Sequence, residues 1–205
     1  MHYNMARAHD TFKAGYDSIF SRLDNPPTND LANFMGYCAA WAFAIAEHHD
    51  TEETIVFPRL EGRVDFSTEL EQHKVVHAGL DEIIPYIQSA QTDTSMFDAE
   101  KLKGMMQAFR EPLFRHMDEE LEHVQPANLK VMPFEEMEEL NETLDSYAKA
   151  NGDPFILVPF MMSHTAPEFK DSWPQMPWVL RSIVIPYVLA VRHYGYWKYS
   201  PYSMC

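Results

Sequence analysis

Basic residues are scarce in this chain, and their scarcity limits its partners. The 205 residues include 16 lysines and arginines against 31 aspartates and glutamates, a formal net charge of −15. We do not expect a nucleic-acid partner, because so acidic a surface cannot neutralise a row of phosphates. The same negative charge disfavours binding to an anionic membrane surface.

Cysteines are few, and long apolar runs are missing. The two cysteines, Cys38 and Cys205, provide no disulfide framework and suit a reducing compartment. The most apolar late stretch, residues 178–191, is interrupted by Arg181 and Pro186 and is too short to span a bilayer. The first twelve residues lack the apolar core of a secretory signal. We therefore expect a cytoplasmic protein with no membrane span.

Four amphipathic helices are predicted in the first 125 residues, because apolar side chains recur there at every third or fourth position. Their predicted limits are about 3–23, 30–58, 68–90 and 99–123. Pro58 is expected to end the second helix, and Thr68 with Glu71 forms a capping-box pattern at the start of the third. Short connections between consecutive helices favour an all-α fold built on an antiparallel four-helix bundle.

Histidines and glutamates interrupt the apolar stripes of all four helices. Going along the chain, they are His9, the pair His48 and Glu52, the pair His73 and His77, and the pair His116 and Glu120. Four residues return a helical side chain to the same face, about 6 Å further on. Each pair can therefore aim two groups at one point, and four such helices can surround two metal ions. A lone histidine on an apolar face is usually structural, but four helices that share the pattern favour a metal site.

Imidazole and carboxylate ligands without a thiolate suit iron, with manganese as the nearest alternative. Seven ligands are too many for one ion, so the pattern predicts two ions bridged by Glu52 and Glu120. The second helix leaves a choice, because His49 and Glu53 have the same spacing as His48 and Glu52. Ile45 and Ile55 share a stripe with His48 and Glu52, which favours that pair. His49 is then expected behind the ligands or in solvent.

Three further histidines are not predicted to bind metal. His123 lies about 10 Å along the helix axis from His116, too far to share an ion, and is expected behind the ligands or in the core. His164 and His193 lie outside the bundle helices and receive no predicted role.

Three segments carry a family resemblance: HHDTEETIVFPRLE, EQHKVVHAGL and LFRHMDEELEH. Their order and spacing resemble the hemerythrin-like (HHE) domain family over about residues 3–125. The resemblance implies a di-iron centre that binds O2, held by the seven residues named above. One position departs from the oxygen carriers of the family: they have an HxxxxD motif in the fourth helix, whereas Leu121 stands there in this chain. The HxxxE form resembles the iron-sensing and microbial members instead.

Residues 126–205 differ in character from residues 1–125. They hold 13 of the 27 aromatic residues, with a charged helix predicted at about 133–150 and an apolar helix from Pro177. We expect this aromatic-rich extension to pack on the bundle as part of one structural unit. It resembles the C-terminal extensions of single-domain fungal hemerythrin-like proteins, some of which serve natural-product oxidations.

Two functions from different classes follow from the resemblance. In the first, the protein uses O2 to oxidise a small aromatic or polyketide-like molecule, and the aromatic extension lines the substrate pocket. In the second, it carries, stores or senses oxygen, nitric oxide or iron without catalysis. The oligomeric state and the substrate are left open by the sequence.

Overall fold

The computed structural model describes residues 1–129 and 132–204, and it contains helices and turns but no strand in those ranges. The predicted all-helical fold class is therefore confirmed. The α-helices are α1 (His2–Phe20), α2 (Leu31–Thr51), α3 (Phe57–Leu60), α4 (Ser67–Thr92), α5 (Ala99–His123), α6 (Pro126–Leu129), α7 (Phe134–Asn151), α8 (Pro154–His164) and α9 (Tyr194–Trp197). π-Helical turns cover Glu52–Val56 and Leu180–Leu189, and 3-10 turns cover Thr94–Met96, Pro167–Phe169 and Ala190–His193.

Helices α1, α2, α4 and α5 form a ring of neighbours, α1 next to α2 and α5, and α4 next to α2 and α5. Their directions follow from paired contacts. His9 of α1 lies against the Met117 carbonyl of α5, while Tyr16, further along α1, reaches the earlier Met106 carbonyl. Contacts between α1 and α2, and between α4 and α5, likewise pair later residues of one helix with earlier residues of the other. The four helices are therefore an antiparallel bundle.

The second helix does not end at Pro58 as predicted. The chain passes from α2 through the π-helical turn Glu52–Val56 into α3, and Pro58 is in the first turn of α3. The π-helical turn directly before Pro58 already departs from the α-helical hydrogen-bond pattern, so the missing amide hydrogen of the proline breaks no regular α-helical ladder there. The capping-box prediction is also wrong. Helix α4 begins at Ser67, whose amide donates to the Asp65 carboxylate 3.0 Å away.

One end of the bundle is packed with aromatic and aliphatic side chains. Its largest fully buried members are Tyr16, Phe34, Tyr37 and Trp41. Trp41 Nε1 donates to the Phe12 carbonyl at 2.9 Å, so its polar edge is paired. Gly15 lets α1 approach this indole, since a Cβ there would lie 2.5 Å from Trp41 Cδ1.

Helix α8, which the sequence pattern did not predict, lies against α1 and α2. Phe160 of α8 is fully buried beside Phe12, and the Ser18 hydroxyl donates to the Tyr199 carbonyl at 2.6 Å.

Further along, the turns from Trp178 to Tyr194 expose several large apolar side chains. The predicted apolar helix from Pro177 is there mainly a π-helical segment. The division of the chain at residue 125 stays a prediction.

Of the nine α-helices in the described ranges, none combines the length and the apolar composition required to cross a membrane. Cys38 is buried as a free thiol, and Cys205 lies outside the described residues.

Candidate metal centre

The four bundle helices bring imidazoles and carboxylates together at the end opposite the aromatic core. Two groups of possible ligand atoms form there, each with all its atoms within 4.8 Å of one another. The first contains His9, His48, Glu52 and Glu120; the second contains His49, Glu52, His73 and His116. Glu52 belongs to both. The structure thus gathers six of the seven predicted ligands, together with His49.

Both carboxylates lie between the two groups. Glu52 Oε1 is 2.9 Å from His48 Nε2, and Glu52 Oε2 is 3.6 Å from His73 Nε2. Glu120 Oε2 is 3.3 Å from His9 Nε2 and 3.9 Å from His116 Nε2. Glu52 therefore faces one imidazole of each group with a different oxygen, whereas Glu120 approaches both imidazoles with the same oxygen.

The histidine rings are oriented by contacts at their far nitrogens. His9 Nδ1 lies 3.0 Å from the Met117 carbonyl, His73 Nδ1 lies 2.8 Å from Glu53 Oε1, and His116 Nδ1 lies 3.2 Å from Gln72 Oε1. A carbonyl or carboxylate oxygen can only accept, so each Nδ1 must donate its hydrogen. This tautomer leaves the Nε2 lone pair free to bind a cation, and such outer contacts also fix the ring direction.

The site is buried, and among the described residues the carboxylates of Glu52 and Glu120 approach histidines but no lysine or arginine. Glu52 and Glu120 are 1% and 0% exposed, and none of their four carboxylate oxygens has a hydrogen-bond partner among the described residues. Burial raises the pKa of both carboxyls well above the usual range, and the charge of Glu52 raises that of Glu120 further. Burial likewise lowers the pKa of His48 and His73 to about 4 and that of His116 to about 3.

Neutral imidazoles next to unpaired carboxylates fit a bound metal cation. Buried carboxylates are rare unless they are paired or ligate a metal, and neutral histidine is the form that binds metals. The donor set of nitrogen and oxygen without sulfur suits iron or manganese better than a structural zinc.

Comparisons with known proteins place this site in a family. The model of the family described as hemerythrin HHE cation binding domain matches residues 1–127, well over half of the chain. The chain belongs to the hemerythrin HHE family. The predicted family is therefore confirmed, and with it a cation-binding role for the helical bundle.

One relative is similar along nearly the whole chain. It is the "Dimeric xanthone biosynthesis cluster protein R11" of Cryptosporiopsis sp. (strain 8999), 22% identical over 209 residues. The match covers 98% of this chain and 78% of that protein, so it extends beyond the hemerythrin domain into residues 128–205. No solved structure matches the chain significantly.

His49 corrects the expectation for the second helix of this hemerythrin domain. It is neither in solvent nor behind the ligands: it is 1% exposed, and its ring stacks on His73 with centroids 4.2 Å apart. Helix α2 lies between α1 and α4, and consecutive residues differ by about 100° around a helix. His48 therefore faces His9 of α1 while His49 faces His73 of α4.

The preference for His48 with Glu52 over His49 with Glu53 stays a prediction, and both favoured residues lie in the first group. The π-helical turn affects only the evidence that Ile55 gave for it. It inserts an extra residue into the helical turn after Thr51, so Val56 is buried at 3% while Ile55 is only partly covered. Ile55, which follows the inserted residue, therefore does not show which face of α2 is buried before Glu52. The doublet of histidines was the available signal that both rings could take part.

His77 lies at the edge of the centre rather than in either group. Its side chain is 39% exposed, and its Nε2 is 3.4 Å from Glu53 Oε1. Glu53, His73 and His77 make up a third, outer group of possible ligands. His77 as an iron ligand stays a prediction, as does the assignment of the other six predicted residues.

His123 is not a core residue. Its side chain is 42% exposed and forms an ion pair with Glu69, which is completely buried. Glu69 was missed by the sequence patterns, and its charge raises the pKa of both Glu52 and Glu120. His164 is buried far from the centre. Its Nε2 lies 2.6 Å from the Tyr37 hydroxyl, and its Nδ1 donates to the Phe160 carbonyl.

A cavity of about 220 Å³ reaches the metal centre from the side of α1 and α7. His48 and Glu52 are part of its lining, together with apolar side chains of α1 and the π-helical turn. Asn141 and Leu144 of α7 and the buried Trp173 complete the wall. Residues that follow the hemerythrin domain thus form part of a cavity that touches two residues of the first group. A larger groove of about 670 Å³ borders Glu53 and Phe57, which both contact His73.

Proposed function

We propose that this protein is a non-haem di-iron protein that uses O2 to oxidise a small organic molecule. The observation that carries the proposal is the cavity that ends on His48 and Glu52. A protein that only carries oxygen has no need of a chamber beside its ligands that could admit an organic molecule. Small-molecule sites are typically concave, largely apolar clefts with a few polar groups.

The two groups of ligand atoms support two ions. His9, His48 and Glu120 would hold one ion, His49, His73 and His116 would hold the other, and Glu52 would contact both. Iron bound there would supply O2 binding and the electrons for its reduction. Manganese is the nearest alternative, because it accepts the same donors.

The protein's own residues have three tasks in this proposal. Met117, Glu53 and Gln72 accept the Nδ1 hydrogens and thereby hold His9, His73 and His116 in the metal-binding tautomer. The buried Phe12 ring, whose centroid lies 5.1 Å from that of His48, excludes water on that side of the centre. The cavity admits the organic molecule next to His48 and Glu52.

The relative supports a natural-product substrate. Its name places it in a cluster for dimeric xanthone biosynthesis, and xanthones are aromatic ketones. Because that match spans nearly the whole chain, we propose a small aromatic or polyketide-like molecule as the substrate here.

A second candidate function rests on the number of imidazoles. Five histidines lie in the two groups against two carboxylates, and a histidine-rich set favours reversible binding of oxygen or nitric oxide, or iron sensing. The two functions predict different oxygen balances. A carrier releases its oxygen when the pressure falls, whereas an oxidase consumes oxygen in proportion to substrate.

The experiment combines metal analysis with oxygen uptake on the purified full-length protein. We expect close to two irons per chain, and oxygen uptake that depends on an added phenolic or polyketide-like substrate and yields an oxidised product. His48→Ala and His49→Ala should both lower the iron content, with His164→Ala as the control. Reversible uptake with no product from any substrate would favour the carrier, and a single bound zinc would refute the di-iron centre.

A further inference from the structure

One short segment after the hemerythrin domain exposes an apolar face. The apolar face consists of Trp178, Val179, Leu180, Ile183, Tyr187, Val188, Val191 and Tyr194. We propose that it binds to the surface of an anionic lipid bilayer, so that the segment lies on the membrane without spanning it. This surface is outside the metal centre, and the inference does not depend on the proposed function.

The exposed apolar side chains of this protein are concentrated rather than scattered. Of the thirteen large apolar side chains that are exposed in the described ranges, eight lie within residues 178–194. Most of them recur at every third or fourth position, the spacing that places side chains along one side of a helical segment. Ile185, by contrast, is buried, and the π-helical segment lies against α8. The segment therefore has one side in the protein and the apolar face in solvent.

The apolar face is larger than an ordinary surface patch. Its three aromatic members, Trp178, Tyr187 and Tyr194, are 69%, 71% and 80% exposed. At about 200 Å² for a whole aromatic side chain, these fractions correspond to roughly 440 Å². The five aliphatic members take the face above the roughly 300–600 Å² of the largest apolar patch on a typical soluble monomer. A face of this size marks an interaction surface.

The charge around the apolar face is opposite to that of the rest of the chain. Residues 172–205 contain no aspartate or glutamate but three cations, so their formal charge is +3, whereas residues 1–171 carry −18. One of these cations, Lys198, forms an ion pair with Asp30. Arg181 contacts a backbone carbonyl and Arg192 an aromatic ring, and the described residues give neither a carboxylate partner. Both guanidinium groups can therefore pair with the anionic headgroups of lipids.

The chemistry of the face favours lipid over a protein partner. A protein interface carries roughly one hydrogen bond per 100–200 Å², but the apolar face offers only three polar side-chain atoms, those of Trp178, Tyr187 and Tyr194. Tryptophan and tyrosine are enriched where a bilayer meets water, because the ring enters the apolar region while its polar atom stays hydrated. A second copy that used the same face would place cations opposite cations. An anionic bilayer has no such conflict.

The acidic remainder of the chain does not forbid this contact. Charges more than a Debye length from the membrane, about 8 Å at physiological ionic strength, are largely screened. Apolar side chains that enter the boundary between headgroups and acyl chains add an attraction that does not depend on charge. The net charge of −15 therefore disfavours an average surface of this protein, whereas the apolar face with Arg181 and Arg192 is locally cationic.

The test is sedimentation of the iron-loaded full-length protein with vesicles in about 0.15 M salt. We expect vesicles of phosphatidylcholine with one-quarter phosphatidylserine to bind the protein at least tenfold more tightly than phosphatidylcholine alone. Tyr187→Glu puts a charge into the apolar face and should weaken this binding at least tenfold without changing the iron content. Phe134→Glu is the matched control, because Phe134 is 70% exposed but lies on α7, and it should bind like the parent.

A second variant tests the cations. Arg192→Gln should weaken binding to the anionic vesicles by about fivefold and leave binding to phosphatidylcholine alone unchanged. Equal binding of the parent protein to both kinds of vesicle would overturn the inference, as would no binding to either.

Two further outcomes would also overturn it. An equal loss of binding in Phe134→Glu would place the contact elsewhere on the protein. A parent protein that is a dimer by light scattering, with Tyr187→Glu a monomer, would show that a second copy covers the face instead. If Tyr187→Glu fails to fold, judged by its helical circular dichroism, Val191→Glu makes the same comparison at a residue that is 53% exposed.

Discussion

The two ends of the same four helices bury polar groups in opposite ways. At the aromatic end, the Tyr16 hydroxyl donates to the Met106 carbonyl and the Trp41 indole donates to the Phe12 carbonyl. At the other end, the carboxylates of Glu52 and Glu120 are just as buried and have no hydrogen-bond partner among the described residues. Buried polar groups are normally paired, so the unpaired end is the one that requires a cation.

This difference divides the bundle into an end whose buried polar groups are paired and an end whose buried carboxylates fit a metal ion. The polar groups of Tyr16 and Trp41 at the aromatic end are paired within the protein, so they require no ligand. The carboxylate end costs free energy until a metal binds, and metal binding is therefore coupled to folding there. The predictions below test this contrast.

The largest effect is expected at Glu52, which belongs to both groups of ligand atoms. Glu52→Ala should reduce the iron content from about two ions per chain to near zero. The neighbouring Glu53 contacts His73 only through Nδ1, so Glu53→Ala should weaken iron binding by about 10- to 100-fold. Metal analysis and competition with a chelator measure both. The reverse order of effects would place Glu53, rather than Glu52, in the bridging position.

The next effect concerns the aromatic end. Trp41→Ala should lower the free energy of unfolding by about 3–5 kcal/mol, because a fully buried indole is lost. Urea denaturation with and without chelator should give the same loss, since this end does not depend on metal. Trp178→Ala is the control: that indole is 69% exposed, and its loss should change stability by no more than about 0.5 kcal/mol. A loss at Trp41 that disappears on chelation would break the contrast between the ends.

A smaller effect is expected at Glu120. Its substitution should change the free energy of unfolding in opposite directions in the chelated and the iron-loaded protein. In chelated protein, Glu120→Gln should raise the free energy of unfolding by about 1–3 kcal/mol, because an unpaired buried carboxylate is removed. In iron-loaded protein the same change should be destabilising. Burial raises the pKa of Glu120, so the chelated wild type loses stability as the pH rises above about 4.5 and the gap to the variant widens.

Urea denaturation at several pH values checks this prediction, and the exposed Glu138 supplies the control, Glu138→Gln. A variant that destabilises the chelated protein at every pH would mean that Glu120 is satisfied without metal.

The smallest effect is expected at His164, whose polar atoms are paired and which lies outside the metal centre. This residue should make the free energy of unfolding depend on pH. Burial lowers its pKa to about 3, while the unfolded chain binds a proton near pH 6.5. Stability should therefore fall as the pH drops below 6.5, by up to about 1.4 kcal/mol per pH unit.

His164→Gln keeps an oxygen that can accept from the Tyr37 hydroxyl and should flatten this slope between pH 6.5 and 5. Denaturation midpoints of the two proteins across that range measure the difference, and parallel curves would contradict the prediction.

Much of the bundle was predictable because its signals are local. A 3.6-residue period of apolar side chains places helices regardless of what surrounds them, and the i, i+4 spacing places His48 with Glu52 and His116 with Glu120 on one face. Helix α8 was missed because Pro154 and Pro159 argue against a helix locally, although Pro154 stands in its first turn, where a proline is tolerated. The end of the second helix was misplaced at Pro58 because that proline, too, argues locally against a helix.

By itself, the sequence determined that imidazoles and carboxylates interrupt the apolar faces of four helices, because helical periodicity is a property of neighbouring residues. Only the tertiary structure decided which of these side chains come together in each group of ligand atoms. His49 joins the centre because α2 lies between α1 and α4, and His77 lies at its edge beside Glu53. The cavity likewise unites Met5, Glu52 and Trp173, which are far apart along the chain. No local pattern specifies such contacts, since they depend on how whole helices pack.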